Sequence, residues 1–333
     1  MDELPNIIYF GSDTICLPAL NYLKTKATDV CNLRAVISQP DRRKGRGKQL
    51  QPNPVAAWAT TNGIELLQPE KPTHELADWI RNQNIRVGLV MAYGHFLTKS
   101  LREAPRHGLL NFHGSLLPKY RGASPVETAL AMGEAETGVV LMQMIKEMDA
   151  GGVADVEIVP IDKMITASGL RTQVGEAVVP LLQRNLQAIL GGQLTFNPQD
   201  ATQAIFCRKL RKEDGAVDFN LSAVDIYNRL RAFEPWPGGY FYHGEKRIKV
   251  GRATAEPDIT TTAQPGIVVD AKSSLQVATG KGLICFHELQ LPGARMLPTA
   301  DFLNGYPVAS GNKLIGGTAE ELTRSRPSSL QNH

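Results

Sequence analysis

The sequence predicts an α/β chain, with a mostly parallel sheet covered by helices on both faces, followed by a small antiparallel β-barrel. Three observations predict it. Short apolar runs alternate with segments of helical spacing from Ile7 to about Leu190, and such alternation builds parallel strands joined by helical crossovers. After Gly192 the chain breaks into short strand-like runs separated by Gly, Pro and Ser, the texture of a small barrel. The length of 333 residues suits about two domains.

The elements follow in order. Ile7 to Phe10 is an apolar run ending at Gly11, and Pro18 to Leu23 carries apolar residues at helical spacing, so the chain opens as strand, turn, helix. Arg34 to Ser38 is a second strand and Val55 to Thr60 starts a second helix. His74 to Arg81 is helical, and Val87 to Met91 is the next strand. Leu109 to Phe112 continues the series, followed by a helix over Val126 to Met132 and strands over Gly138 to Met144 and Val153 to Val159. A long helix from about Ser168 to Leu190 is stopped by Gly191 and Gly192. Residues 1–192 thus read as one Rossmann-like domain, and the polar, irregular residues 193–207 as a linker. Ser222 to Ala232 is helical and precedes Pro235-Trp236-Pro237-Gly238-Gly239. The runs Tyr240 to His243, Lys246 to Val250, Gly266 to Val269, Leu275 to Ala278 and Leu283 to Leu289 then suggest an OB-like barrel within residues 208–317. Residues 318–333 are expected to form a flexible tail.

Composition narrows the class. A hydrophobic fraction of 42% and a charged fraction of 21% exclude a disordered or fibrous chain. No stretch approaches the roughly 18 uninterrupted apolar residues of a membrane span, and the start MDELPNIIYF carries acids where a signal peptide has a basic region. A cytoplasmic protein that acts as a monomer away from membranes is expected. Cys16, Cys31, Cys207 and Cys285 are scattered without a C-x-x-C pair, which supports neither a disulfide framework nor a zinc site, and no metal is expected. The net charge of +3 is uneven: residues 1–200 hold 20 basic and 20 acidic side chains, residues 201–333 hold 16 and 13. Two clusters concentrate it, RRKGRGK from Arg42 to Lys48 and RKLRK from Arg208 to Lys212.

The candidate chemistry begins at Leu109-Leu110-Asn111-Phe112-His113-Gly114-Ser115-Leu116-Leu117-Pro118. Side chains two apart on a strand share a face, so Asn111 and His113 point the same way. A central parallel strand is apolar on both faces, so such a polar pair belongs where the strand leaves the sheet, the end where open α/β sheets bind ligands. A hydrogen-bonded core histidine beside a turn-capping asparagine is the competing reading. Met148-Asp149-Ala150-Gly151-Gly152 puts a carboxylate on a Gly-rich turn, and Asp-Gly turns are common without function. Met91-Ala92-Tyr93-Gly94-His95 ends another strand of the same sheet and would line the same crevice.

The run Asn111 to Pro118, followed by Tyr120-Arg121-Gly122-Ala123, Thr137-Gly138-Val139 and Asp149-Ala150-Gly151, resembles the 10-formyltetrahydrofolate-dependent formyltransferases. Gln39-Pro40-Asp41-Arg42, Gly45-Arg46-Gly47-Lys48, Phe233-Glu234-Pro235-Trp236-Pro237 and Asp301-Phe302-Leu303-Asn304-Gly305 resemble the members of that family that formylate methionine on initiator methionyl-tRNA. The resemblance covers about residues 5 to 315. It implies 10-formyltetrahydrofolate as donor, no metal, and Asn111, His113 and Asp149 as the catalytic residues. It further implies that Ser115, Leu116, Leu117 and Pro118 contribute to the folate site, with Ala92, Tyr93 and Gly94 lining the same pocket.

In that reading Asn111 and His113 offer N–H donors to the oxyanion of the tetrahedral intermediate, while Asp149 charges the imidazole and helps remove the proton of the attacking amine. The loop holding Arg42, Arg43, Lys44, Arg46 and Lys48 leaves the same sheet edge and can pair with acceptor-stem phosphates, a role the resemblance also implies. Arg208 to Lys212, including Lys209 and Lys212, would extend the track, with Lys246, Arg247, Lys249 and Arg252 beyond. A solvated loop is the bland alternative for any such charge run.

The chain departs from the family at Gly11-Ser12-Asp13-Thr14-Ile15-Cys16, at Gly152, where many members carry Asp, and at Phe219, where Trp is common. A nicotinamide enzyme would need G-x-G-x-x-G after the first strand, and only Gly11 is present. A sugar-nucleotide or other small-amine formyltransferase is the alternative that shares the polar trio, but it has no reason to carry the basic loop or the barrel. A formate-releasing hydrolase and a catalytically decayed RNA-binding protein are further rivals.

Overall fold

The computed structural model describes residues 3–44, 47 and 49–326. Seven strands form the main sheet: β1 (Asn6–Phe10), β2 (Asn32–Ile37), β3 (Glu65–Leu67), β4 (Ile85–Val90), β5 (Leu109–His113), β6 (Glu136–Gln143) and β7 (Val153–Pro160). Their spatial order is β7-β6-β5-β4-β1-β2-β3. β5, β4, β1, β2 and β3 are mutually parallel, whereas β6 and β7 are each antiparallel to their inner neighbour.

The alternation of side chains along β1 explains why its apolar run is unbroken. Among the described residues, the helices of more than four residues in this unit are α1 (Leu17–Thr25), α2 (Pro54–Thr61), α3 (His74–Asn82), α4 (Pro125–Ala131) and α5 (Ala167–Gly191). Ile7 and Tyr9 face one layer, built by α1 and α5, where Leu20, Leu23, Val174 and Val178 receive them. Ile8 and Phe10 face the opposite layer and pack with Leu76 and Ile80, which belong to the helix His74–Asn82. All four β1 side chains are fully buried, as expected for a strand covered on both sides. α5 stops at Gly192, whose φ of 66° is the left-handed cap that glycine adopts without a Cβ clash.

After the linker comes the helix Ala223–Ala232, capped by Ser222 through the Asp225 N–H. Two four-stranded antiparallel sheets follow and share one core that includes Phe241, Ile248, Val277, Ile284 and Phe286. The expected run Leu283 to Leu289 divides into Leu283–Phe286 in one sheet and Glu288–Gln290 in the other.

Three local features differ from the expectation. Arg42–Lys44, at the start of the basic segment, forms a two-stranded antiparallel hairpin with Gln49–Gln51. The linker is woven into the first unit: Phe206–Cys207 pairs with Arg121–Gly122 on one side and with Thr323–Arg324 on the other. The chain beyond Thr318 is therefore not a frayed tail up to Arg326, since it contributes a strand and buries Leu322 in the main core. No helix among the described residues is long and apolar enough to cross a membrane.

Candidate active site

β5 ends at His113, beyond the last register pair with β4, Val90 with Asn111. Both Asn111 and His113 line a cleft of about 470 Å³ at that sheet edge, and Asp149 lines it from the loop between β6 and β7. The three groups come together from different elements. His113 is buried, and its Nε2 lies 2.9 Å from the Tyr120 carbonyl oxygen, an acceptor, so Nε2 carries the proton and Nδ1 turns to the cleft. Nδ1 is 3.7 Å from Asp149 Oδ2, longer than a hydrogen bond. The Asp149 side chain, 18% exposed, accepts from the Gly122 N–H at 2.9 Å. Asn111 is half-buried, and its amide has no hydrogen-bond partner among the described residues. It is a donor without an acceptor, facing the cleft.

The backbone here is held in costly conformations. Ala92, Tyr120 and Asp149 have φ of 46°, 61° and 49°, a region that disfavours side chains by about 1–2 kcal/mol per residue. Such outliers persist where the surroundings over-determine them. Ala92, Tyr93 and Gly94 all line the cleft. The buried Tyr93 hydroxyl and His95 Nδ1 have no hydrogen-bond partner among the described residues. Ser115 is buried and its hydroxyl donates to the Lys119 carbonyl at 2.7 Å, closing the turn that returns Tyr120 to His113. Leu116, Leu117 and Pro118 are half-buried on this turn and, with Ser115, do not line the cleft itself.

The cations divide. Arg42 and Arg43 are exposed on the hairpin, and Arg42 pairs with Glu70 at 3.2 Å. The hairpin approaches the cleft: burial first, then the Arg42 charge, lowers the pKa of His95 below its ordinary 6.5, with Glu70 opposing. Arg46 and Lys48 lie outside the described residues, as does the Lys44 side chain. Lys209 lines the cleft and Lys212 is exposed at the start of a short turn of helix. Arg208 is taken by Asp214 at 2.5 Å, both side chains buried, and Arg211 by Glu320 at 3.2 Å.

Sequence reasoning missed the cleft floor formed by Arg171 on α5. Its guanidinium bridges Asp13 at 2.8 Å and Glu127 at 2.7 Å, and Asp13 and Arg171 both line the cleft. Burial opposes the Arg171 charge, but these two carboxylates outweigh it and raise its pKa. Three charges so far apart in sequence leave no local signal.

The chain matches formyl transferase over residues 6–186 and the formyl transferase C-terminal domain over residues 209–307. The chain belongs to the formyl transferase family. This formyl transferase is 36% identical to the methionyl-tRNA formyltransferase of Geobacter sulfurreducens, covering 92% of this chain and 96% of that protein. It is 38% identical to the enzyme of that name from Thermus thermophilus, covering 92% and 98%. The fold matches an N-formyltransferase from Helicobacter canadensis in complex with folinic acid and dTDP-3-aminofucose, with a TM-score of 0.63, 18% identity and 85% and 99% of the two chains covered. It also matches HypX from Aquifex aeolicus in complex with tetrahydrofolic acid, with a TM-score of 0.58 and 16% identity, covering 93% of this chain and 49% of that one. The formyl transferase therefore spans about half of HypX, and at these identities the two structures speak for the fold alone.

Proposed function

We propose that this formyl transferase moves the formyl group of 10-formyltetrahydrofolate to the α-amine of methionine on initiator methionyl-tRNA, giving N-formylmethionyl-tRNA. The observation that carries the reading is the convergence of Asn111, His113 and Asp149 in one cleft. The match to methionyl-tRNA formyltransferases along nearly the whole chain supports the acceptor.

The amine nitrogen attacks the formyl carbon, and the formyl oxygen becomes an oxyanion. The unpartnered Asn111 amide donates to that oxygen. His113, whose Nε2–H is committed to Tyr120, acts through Nδ1, which as part of an imidazolium is a second donor. Asp149 stabilises the charged ring across 3.7 Å and takes up the ammonium proton directly or through water. Collapse then breaks the bond from the formyl carbon to N10, and N10 takes up the second proton given up by the attacking nitrogen as tetrahydrofolate leaves.

Ala92, Tyr93 and Gly94 flank the donor, and the turn Ser115 to Pro118 shapes its site from behind His113. On the acceptor side Lys209 stands in the cleft, and Arg42, Arg43 and Lys44 on the hairpin, with Arg46, Lys48 and Lys212, meet phosphates. The reaction belongs in the cytoplasm, and a single chain is the acting unit.

The test supplies 10-formyltetrahydrofolate with methionyl-initiator tRNA, methionyl-elongator tRNA or no tRNA. Donor consumption that requires the charged initiator is the expected result. Equal consumption without tRNA, or with a small amine alone, would overturn the reading.

A further inference from the structure

The segment between the two units carries a side chain that the reaction has not yet used. Gln199 lies two residues after Asn197, which exchanges both backbone hydrogen bonds with Val153. Its Nε2 donates to the Asp149 carbonyl at 2.9 Å and to the Gly151 carbonyl at 2.8 Å. Its Oε1 accepts from Arg121 Nε at 3.1 Å and Nη2 at 2.7 Å. The residue after Arg121, Gly122, donates its N–H to the Asp149 carboxylate. These bonds close a ring, in which Gly122 holds the head of Asp149, Gln199 holds its backbone, and Gln199 is held by Arg121.

Two facts make the ring more than packing. Asp149 sits at a φ of 49°, a conformation its own backbone does not favour, so the turn needs external bonds to keep the carboxylate near His113. Arg121 is buried, stacked 5.8 Å over the Phe206 ring, and pairs with no carboxylate at salt-bridge distance among the described residues. Its guanidinium is spent on a neutral amide, which fixes the orientation of that amide so that the NH₂ end faces the two carbonyls.

We propose that Gln199 is a positioning residue for formyl transfer, through which the linker holds the Asp149 turn in register with His113. The inference rests on the reading of Asp149 given above. Phe206, which stacks on Arg121, leads directly into Arg208 and Lys209, so the chain that orients the carboxylate is continuous with the chain that meets the acceptor.

The experiment measures kcat and KM for both substrates in Gln199→Ala and Gln199→Glu, with Asp149→Asn as the reference. A misplacement of about 1 Å at a reacting group costs on the order of 10²-fold, so kcat should fall by roughly 10- to 100-fold in both variants. KM for methionyl-tRNA and for the folate should stay within about two-fold. Gln199→Glu keeps the size and the Arg121 bonds but sets a carboxylate oxygen against the two carbonyls and adds a negative charge near Asp149. The uncharged Gln199→Met, which keeps the length and loses the donations, is therefore measured beside it, and a reduced kcat in both Gln199→Glu and Gln199→Met at unchanged KM is the decisive signature. A wild-type kcat in either, or a defect confined to the KM for tRNA, would overturn the proposal. A wild-type kcat in Asp149→Asn would instead remove the carboxylate from the mechanism, and the proposal with it.

Discussion

Replacing Asn111 with alanine removes the proposed oxyanion donor and no internal bond of the fold. The amide makes no hydrogen bond among the described residues, the residue is half-buried, and the strand pairing of Asn111 with Val90 and Met142 uses backbone groups that alanine keeps. The folding cost should therefore be small, within about 1 kcal/mol for a substitution that opens no cavity and breaks no network. The kinetic cost should be large. Loss of one preorganised donor typically lowers kcat by about 10² to 10³, or about 3–4 kcal/mol, because the bond is made to charge that exists only in the transition state. The assay is steady-state formation of formyl-methionyl-tRNA at saturating donor, with tRNA affinity measured separately by filter binding. A kcat within a factor of about three of wild type, or a defect wholly in KM, would refute the assignment of Asn111.

Other expectations follow from the same geometry. Asp149→Asn keeps the shape and the Gly122 bond but removes the charge, so kcat should fall by about 10² to 10⁴ with little change in tRNA affinity; single-turnover rates decide it. Neutralising Arg42, Arg43 and Lys44 together should flatten the dependence of log K for tRNA on log salt, by about one unit for each phosphate no longer neutralised, and an unchanged slope would count against the hairpin. Gly122→Ala should impair both folding and turnover, since φ is 124° there and a Cβ would collide with the Cys207 carbonyl; thermal melting and kcat report the two effects. Arg208→Leu should destabilise the chain by about 3–5 kcal/mol in urea titration by stranding the buried Asp214 carboxylate.

The same pair sets an acid limit. Burial pushes the Asp214 carboxyl up, but the bonds from Arg208 and the Arg211 N–H outweigh it and hold the group below its ordinary 3.8. The unfolded chain then binds the proton more readily. The stability from this group is full above that ordinary value and is lost as pH falls below it through the folded value. A urea midpoint insensitive to pH across that window would contradict the assignment.

The layered α/β unit was legible because its strands are long enough to show apolar runs and its helices long enough to show periodicity, as in β1 and α5. Asn111 and His113 were legible as polar residues two apart at the end of an apolar strand. What escaped has a common cause. β3 spans three residues, and the ladder of 121–122, 206–207 and 323–324 uses strands of two, too short for any period. Gln199 and Leu322 sit in segments whose polar composition reads as linker and tail, yet their side chains are fixed by partners far away in sequence. Arg171 looks like one more cation on a helix until Asp13 and Glu127 meet it. Arg208 reads as a free cation of the basic cluster and is occupied by Asp214.

Formyl transfer to an aminoacylated tRNA is expected to need the amide, the imidazole and the carboxylate that meet in one cleft. The most direct test of this claim is a rapid-quench measurement on the combined variant Asn111→Ala, His113→Ala, Asp149→Asn, loaded with methionyl-initiator tRNA and 10-formyltetrahydrofolate. The tRNA should bind as tightly as before, and no formyl-methionine should form above the level without protein. Product forming at the unmodified rate would contradict the claim.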